Sequence, residues 1–422
     1  MIHVYFCNYS IHFILIENYT FNLQKLQIKL SAMIENLKNA QKNILKRITL
    51  SNQDTAQYYD MIVFCHLRWH FVYQRPQHII SRISKTMKTL FIEEPLYNNE
   101  SKESGNLIII NDMLHVLQPN VKDIESIAAI IPEYVKNKDI PVGWFYSAIF
   151  CPLSECIDFE TIVYDCMEEL SLLKGSAKNV INQEKYLISN ADIIFTSGKS
   201  LYELKKQWHT NVHCFPSSVD EPHFAKALNG IKVADDVANL QSPIVGYYGV
   251  IDERIDFALL HETALKLPNV SFVMIGPLSK IEKNDLPQED NIHYLGMKSY
   301  NELPHYLKAF DIAMIPFAVN DTTKYISPTK TLEYMSAGKP IISTKITDIV
   351  HDYGICLSMV ESADEFYEAI KFALDKTDHF SMELEYHKIL KKTSWDITAV
   401  KMKSIIKTFA NGTDKNNYWN HI

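Results

Sequence analysis

The chain has 422 residues, 47% of them hydrophobic and 22% charged, and carries a formal net charge of −8. That length suits two domains, each able to bury its own core, and the composition excludes a disordered chain. The acidic balance, with no Lys/Arg cluster outside residues 25–48, argues against a phosphate-backbone partner and therefore against nucleic acid.

The first residues, MIHVYFCNYSIHFILIENYTF, are apolar, but Glu17 and several polar side chains interrupt them, and no basic start or small-residue cleavage site accompanies them. They make a poor signal peptide and are too short for a membrane span. LQKLQIKLSAMIENLKNAQKNILKRI then repeats apolar residues at helical spacing with lysines between, which fits a surface helix, a partner helix or a helix lying on a membrane. Residues 1–56 are accordingly expected to be a partly helical extension. The seven cysteines (Cys7, Cys65, Cys151, Cys156, Cys166, Cys214 and Cys356) are scattered, odd in number and without a C-x-x-C pair, so neither a disulfide framework nor a zinc knuckle is expected. A reducing cytoplasm is the expected compartment, with peripheral attachment to the membrane as its variant.

DMIVFCHL (60–67) reads as a strand buried in a parallel sheet, PQHIISRISKTM as a helix opening at Pro76, and TLFIEEP as the next strand. The alternation continues with TIVYDCM, NVINQEKYLISNA, DIIFTSG, SLYELKKQW and VHCFPS. It lapses over KALNGIKVADDVANLQSP (226–243) and resumes with PIVGYYG, DFALLHETALKLP, VSFVMIGP, IHYLG, YNELPHYLKAF, DIAMIPF, the segment YISPTKTLEYMSAG, KPIIST and SADEFYEAIKFALD. Two runs of βα units imply two Rossmann-like, doubly wound α/β domains facing across a cleft, with ligands at the carboxyl ends of the strands. The expected boundaries are 57–228 for the first domain, 229–242 for a linker, 243–394 for the second domain, and 395–422 for a terminal helix packing back on the first domain together with a tail.

The segment SPTKTLEYMSAGKP raises a physical question. With Ser327 as cap and Pro328 in the first position, Lys330 falls in the first helical turn, where the helix dipole is already positive. A capping box would have Glu or Gln there. Such a lysine makes the helix start a favourable seat for phosphate, and Glu333, one turn further on, is placed to accept hydrogen bonds from ribose hydroxyls; together they describe a nucleoside diphosphate. A solvated Lys330–Glu333 pair is the alternative. Arg254, shortly after the strand PIVGYYG, suits phosphate oxygens through its guanidinium fork, or else pairs with Asp252 or Glu253.

On the first domain, HLRWHFVYQRPQH follows the first strand and brings Arg68, Trp69, Tyr73, Gln74 and Arg75 to the cleft. Aromatic faces beside hydrogen-bonding groups suit an acceptor sugar, with core packing of Trp69 and Tyr73 and burial of Arg75 as the alternative. Asp165, in YDCMEEL, is expected to orient an acceptor hydroxyl, with Glu168 beside it, although carboxylates at a strand end are also often structural. His66 and His70 lack partners at ligand spacing, and no D-x-D motif appears, so no metal and no cofactor is expected.

SPTKTLEYMSAGKPIIST resembles the donor-site helix of retaining glycosyltransferases of the GT-B fold, the large family 4 group, where an E-x7-E segment runs into E-A-M-A-C-G-K-P-V-I. PIVGYYGVIDERIDFALL, NIHYLGMKSYNELPHYLKAFDIAMIPF, FCHLRWHFVYQRPQHIISRI, VYDCMEELS and VHCFPSSVDEPHF agree with it in order, and the last three are similar to a bacterial subgroup found among surface-polysaccharide and teichuronic-acid-type genes. The resemblance implies transfer of a sugar from a nucleotide-sugar, a UDP-sugar by expectation, to a glycan or lipid-linked acceptor. It implies that Lys330 and Arg254 touch the diphosphate, that Gly249 lets the phosphates approach, that Glu333 holds the ribose, and that backbone near Gly296 and Met297 receives the base. Ser327, Pro328 and Thr329 count with the donor site. The first glutamate of E-x7-E is Tyr325 here, so Tyr325 or Asp321 is left to meet the sugar. A nucleotide-sugar epimerase and a non-catalytic sugar-nucleotide-binding protein share this architecture and stand as the rival readings. The oligomeric state has no signature in the sequence.

Overall fold

Short apolar runs separated by helical patterns fold here, in a computed structural model, into two sheets, one mostly and one wholly parallel. The structure describes residues 56–98, 104–172, 178–375 and 380–412. The expected extension over residues 1–56 lies outside the described residues, Ala56 excepted.

The first sheet holds β1 (Met61–Cys65), β2 (Thr89–Glu93), β3 (Ser104–Asn111), β4 (Leu114–Asn120), β5 (Ile140–Phe145), β6 (Phe159–Cys166), β7 (Ile193–Thr196) and β8 (Val212–Cys214) in the order β3-β4-β2-β1-β5-β6-β7-β8. β3 and β4 form an antiparallel hairpin at one edge, and the other neighbours run parallel. Helix α1 (Arg75–Ile83) follows β1, α2 (Lys178–Asn190) precedes β7, and α3 (Lys199–Lys205) follows it. Alternate residues of β1 serve opposite faces: Ile62 and Phe64 join one core, while Met61, Val63 and Cys65 join the other.

The second sheet holds β9 (Ile244–Tyr248), β10 (Ser271–Ile275), β11 (Ile292–Gly296), β12 (Ile312–Ile315), β13 (Ile341–Thr344) and β14 (Ser358–Val360), wholly parallel and ordered β11-β10-β9-β12-β13-β14. Its helices are α4 (Phe257–Lys266), α5 (Leu303–Ala309), α6 (Lys330–Ser336), α7 (Thr347–Tyr353), α8 (Ala363–Asp375) and α9 (Phe380–Leu390). The last helix, α10 (Trp395–Gly412), returns to the first lobe, where Trp395, Met402 and Ile406 are buried with Ile79, Ile80 and Ile83 of α1. Among the described residues no helix is long and apolar enough to cross a membrane.

Strand order reverses between β1 and β5 in one sheet and between β9 and β12 in the other. At such reversals the connecting helices leave to opposite faces and open a crevice beyond the strand ends.

Candidate functional site

Loops at the carboxyl ends of β1, β6 and β7 on one lobe, and of β9, β10, β11 and β12 on the other, line one cavity of about 430 Å³. At its second-lobe wall, α6 starts at Lys330 rather than at Pro328, with Thr329 as its cap residue in helical conformation and no side chain capping it. Ser327 is therefore not the cap. Its carbonyl instead accepts a hydrogen bond from the Ser217 hydroxyl at 2.6 Å, which ties the loop to the segment following β8. Ser327, Pro328 and Thr329 nonetheless line the cavity.

Lys330 and Glu333 line it too, and they form no ion pair with each other within 4.0 Å. The Lys330 ammonium lies 5.4 Å from the Tyr247 ring centre and 5.8 Å from that of Phe317, and no carboxylate among the described residues pairs with it. Burial lowers its pKa to about 8; the Glu333 charge opposes that shift and Arg254 adds to it. Glu333 is 7% exposed, and burial raises its carboxyl to about 6 against the hydrogen bond from Tyr248 and the Lys330 charge. Desolvation of an ammonium without a counter-ion is costly, and an anion beside it would offset that cost.

Arg254 is held by Asp252: its Nε and Nη2 reach the carboxylate at 3.0 and 2.6 Å. The sequence left phosphate binding and an Asp252 pair as alternatives; here the pair fixes the guanidinium while Nη1 points across the cleft to Glu168 at 3.5 Å. Met297 lines the cavity, whereas Gly296 ends β11 outside it, its carbonyl accepting from the Gly276 amide at 2.9 Å.

Several expected contacts are corrected. Tyr325 packs against the core of the first lobe, with Lys324 over its ring at 5.4 Å, and does not line the cavity. Trp69 is 8% exposed and meets Phe91 edge-on at 5.0 Å, so it is a core residue. Arg68 turns away to Glu93 at 2.8 Å, and the same buried carboxylate accepts from the Trp69 amide. Asp165 is fully buried, grips Arg75 through Nη2 and Nε at 3.0 and 3.2 Å, and does not line the cavity where an acceptor hydroxyl was expected. Arg75 is 6% exposed, spends its Nη1 on the Phe215 carbonyl at 2.7 Å, and touches the cavity wall as a brace. Gln74 and Glu168 do line the cavity. Among the described residues no three His, Cys, Asp or Glu side chains gather as metal ligands would.

Residues 242–376, the span from β9 into α8, match the family described as glycosyl transferases group 1. The second lobe is similar to group 1 glycosyltransferase domains. A Bacillus subtilis protein assigned to teichuronic acid biosynthesis as a glycosyltransferase, TuaH, is 27% identical over 222 residues, 48% of this chain and 55% of that relative. The chain thus spans about half the length of that relative. Among solved structures, a sucrose-phosphate synthase from Thermosynechococcus elongatus superposes with a TM-score of 0.62 at 12% identity, covering 83% of this chain and 99% of the other. A trehalose-6-phosphate protein from E. coli bound with UDP-2-fluoro glucose superposes with a TM-score of 0.60 at 11% identity, covering 82% and 98%. The two-lobed fold is GT-B.

Two residues of the second lobe line the cavity although the sequence did not single them out. Tyr248, the last residue of β9, donates through its hydroxyl to Glu333 Oε2 at 2.7 Å. Tyr300 presents a buried hydroxyl with no hydrogen-bond partner, and both tyrosines line the cavity. The one signal for Tyr248 was a pair of phenols in an otherwise apolar strand. On the first lobe, Gln77 donates to the carbonyls of Arg68, Trp69 and Val72 and so shapes the loop after β1 from within α1.

Gly249 has φ +140°, and a Cβ there would strike Lys330 Cε and come within 2.6 Å of its ammonium. At Gly276, with φ +149°, a Cβ would strike the Gly249 carbonyl oxygen, so this position too requires glycine. Gly249→Ala is expected to displace the Lys330 chain and weaken nucleoside diphosphate binding by about 10-fold or more; calorimetric titration against wild type measures it, and unchanged affinity would contradict the placement of Lys330.

Proposed function

We propose that this protein is a glycosyltransferase that moves a sugar, with retention of anomeric configuration, from a nucleotide-sugar to a glycan or lipid-linked acceptor in bacterial cell-surface polysaccharide synthesis. The observation that carries this reading is the half-buried ammonium of Lys330, without a carboxylate partner among the described residues, one helical turn from the buried carboxylate of Glu333, both lining the cleft. An ammonium and a carboxylate so arranged match a diphosphate joined to a ribose. The GT-B neighbour bound with UDP-2-fluoro glucose supports a UDP-sugar as the first donor to try, and the TuaH relative supports the polysaccharide context.

In the transfer, the C1–O bond to the diphosphate breaks, the acceptor oxygen bonds to C1, and the acceptor proton passes to the departing diphosphate. Lys330, and the Nη1 group of Arg254 once it leaves Glu168, stabilise the charge that develops on the leaving group. These cations supply what a bound metal would otherwise contribute, so the proposal includes neither metal nor cofactor. The acceptor enters past Gln74 and Glu168, and lobe closure keeps water out. The proposed site of action is the cytoplasm, with peripheral attachment to the membrane where the acceptor is lipid-linked.

A panel of UDP-, GDP- and ADP-sugars incubated with and without lipid-linked acceptors tests the proposal. Acceptor-dependent release of nucleoside diphosphate, with a product of retained configuration, is the expected result. An isomerised nucleotide-sugar formed without acceptor identifies an epimerase instead, and tight binding with no turnover identifies a binding protein.

A further inference from the structure

The turn between β7 and α3 meets the second lobe at residues that do not line the cavity. Within its own lobe this turn is fixed: Thr196 Oγ1 donates to the Gly198 carbonyl at 3.3 Å, and the Ser197 hydroxyl to the Met167 carbonyl at 2.8 Å. Asp348, 3% exposed, reaches it from α7 of the other lobe. Its Oδ1 accepts from the Ser200 amide at 3.1 Å, and a Cβ on Gly198 would strike its Oδ2 at 2.1 Å. Gly198 has φ −162°, extended backbone open to any residue, so the neighbouring lobe and not the backbone leaves no room for a side chain. Beside this contact Lys199 pairs with Asp352 of α7 at 2.5 Å. The same meeting of lobes holds the loop that leads into α6. The Gly198 Cβ position lies 3.2 Å from Ser327 Cβ, and the Ser217 hydroxyl, which donates to the Ser327 carbonyl at 2.6 Å, is 3.4 Å from the Thr329 hydroxyl. The next residue is Lys330, the first of α6. Hydrogen bonds and an ion pair of this kind are groups that water satisfies when lobes part, so the contact can release and re-form.

We propose that Asp348, seated on the Gly198–Ser200 turn, and Ser217, bonded to Ser327, form an interlobe latch that sets the start of α6 and so positions Lys330 for a diphosphate. The inference rests on the reading of the cleft as a nucleotide-sugar site. It adds that part of the affinity of that site comes from a contact outside the cavity, with Gly198, Ser200 and Asp348 as positioning residues. A ligand that favours the latched arrangement tightens the latch by the same factor by which the latch tightens the ligand. That reciprocity separates a latch from a contact that merely stabilises the fold, because the latter leaves both factors at one. The Ser200 amide reports the latch directly: it lies in the first turn of α3, where the helix itself offers no partner, and Asp348 is what it bonds.

The experiment joins calorimetric titration of the full chain with UDP, GDP and ADP to amide hydrogen exchange at Ser200. For whichever nucleotide binds, saturation is expected to slow Ser200 exchange in the wild type by about 5- to 10-fold. In Asp348→Ala the affinity for the same nucleotide is expected to fall by about that factor, and Ser200 exchange no longer to respond to it. Gly198→Ala removes neither a hydrogen bond nor a charge, yet its methyl displaces Asp348, so it is expected to lose affinity to the same extent. Combined with Asp348→Ala, that methyl has room, and the double variant should lose no more than either single one. Asp348→Asn keeps an oxygen for the Ser200 amide and should bind within about threefold of the wild type. Should Asp348→Ala fail to fold, Gly198→Ala carries the same test. Wild-type affinity in Gly198→Ala, or Ser200 exchange indifferent to a bound nucleotide, overturns the latch while leaving the donor site in place. Losses that add in the double variant overturn the Gly198–Asp348 contact as its basis. Failure of every nucleoside diphosphate to bind overturns the latch together with the reading it rests on.

Discussion

Lys330→Met is expected to lower kcat/KM for transfer by about 10²- to 10³-fold, the loss seen when one preorganised donor to a developing negative charge is removed. The methionine keeps most of the aliphatic chain that lies over Tyr247 and Phe317, so the effect is electrostatic. Stability should hold or rise, because an unpaired, half-buried ammonium costs desolvation that a thioether does not. The pH dependence follows in sign. Burial holds the empty-state ammonium at about 8, below its usual 10.5. A bound diphosphate favours the charged form and raises that value, so binding above about pH 8 takes up protons and affinity falls as pH rises through it. Calorimetry in two buffers of different ionisation enthalpy reads the uptake directly in wild type. Its disappearance in Lys330→Met assigns the proton to this side chain; wild-type turnover in the variant would remove Lys330 from the chemistry.

The features that sequence revealed are those whose signal is local. Strands such as β1, β9 and β12 are buried on both faces and so read as unbroken apolar runs, with helical spacing between them. β3 to β5 escaped that reading for definite reasons. β3 is half exposed at a sheet edge, β4 carries a buried His115 and a half-buried Gln118, and β5 contains Pro141 and Gly143, which read as loop punctuation. Lys330 and Glu333 were legible because both lie on one short helix. The start of that helix was misplaced because Ser327 and Pro328 carry strong capping preferences, which the tertiary bond from Ser217 overrides. Trp69, Arg75 and Asp165, for which a cleft role and a structural one stood as alternatives, are held by partners from other elements, and a spacing within one segment cannot report those.

The Arg75–Asp165 pair, 90 residues apart in sequence, shows how much the choice between the two readings matters for experiment. Had Asp165 oriented the acceptor, Asp165→Ala would be a folded, inactive protein. The structure predicts the opposite order of effects. The carboxylate is fully buried and binds Arg75 through three hydrogen bonds of 3.0 to 3.3 Å, while Arg75 ties α1 to the Phe215 carbonyl beyond β8. Removing the carboxylate leaves a guanidinium buried without its counter-charge, which costs about 3–5 kcal/mol. In a lobe of this size each kcal/mol lowers the melting temperature by about 2–4 °C, so a fall on the order of 10 °C is expected in thermal unfolding. Pairing Arg75→Met with Asp165→Leu removes both charges, and it is expected to recover most of that stability because the desolvation cost goes with them. The loop after β1 is shaped by Gln77 independently of the pair, so the double variant should also keep much of its transfer activity. An Asp165→Ala protein that melts with the wild type yet transfers no sugar would restore this carboxylate to the acceptor site.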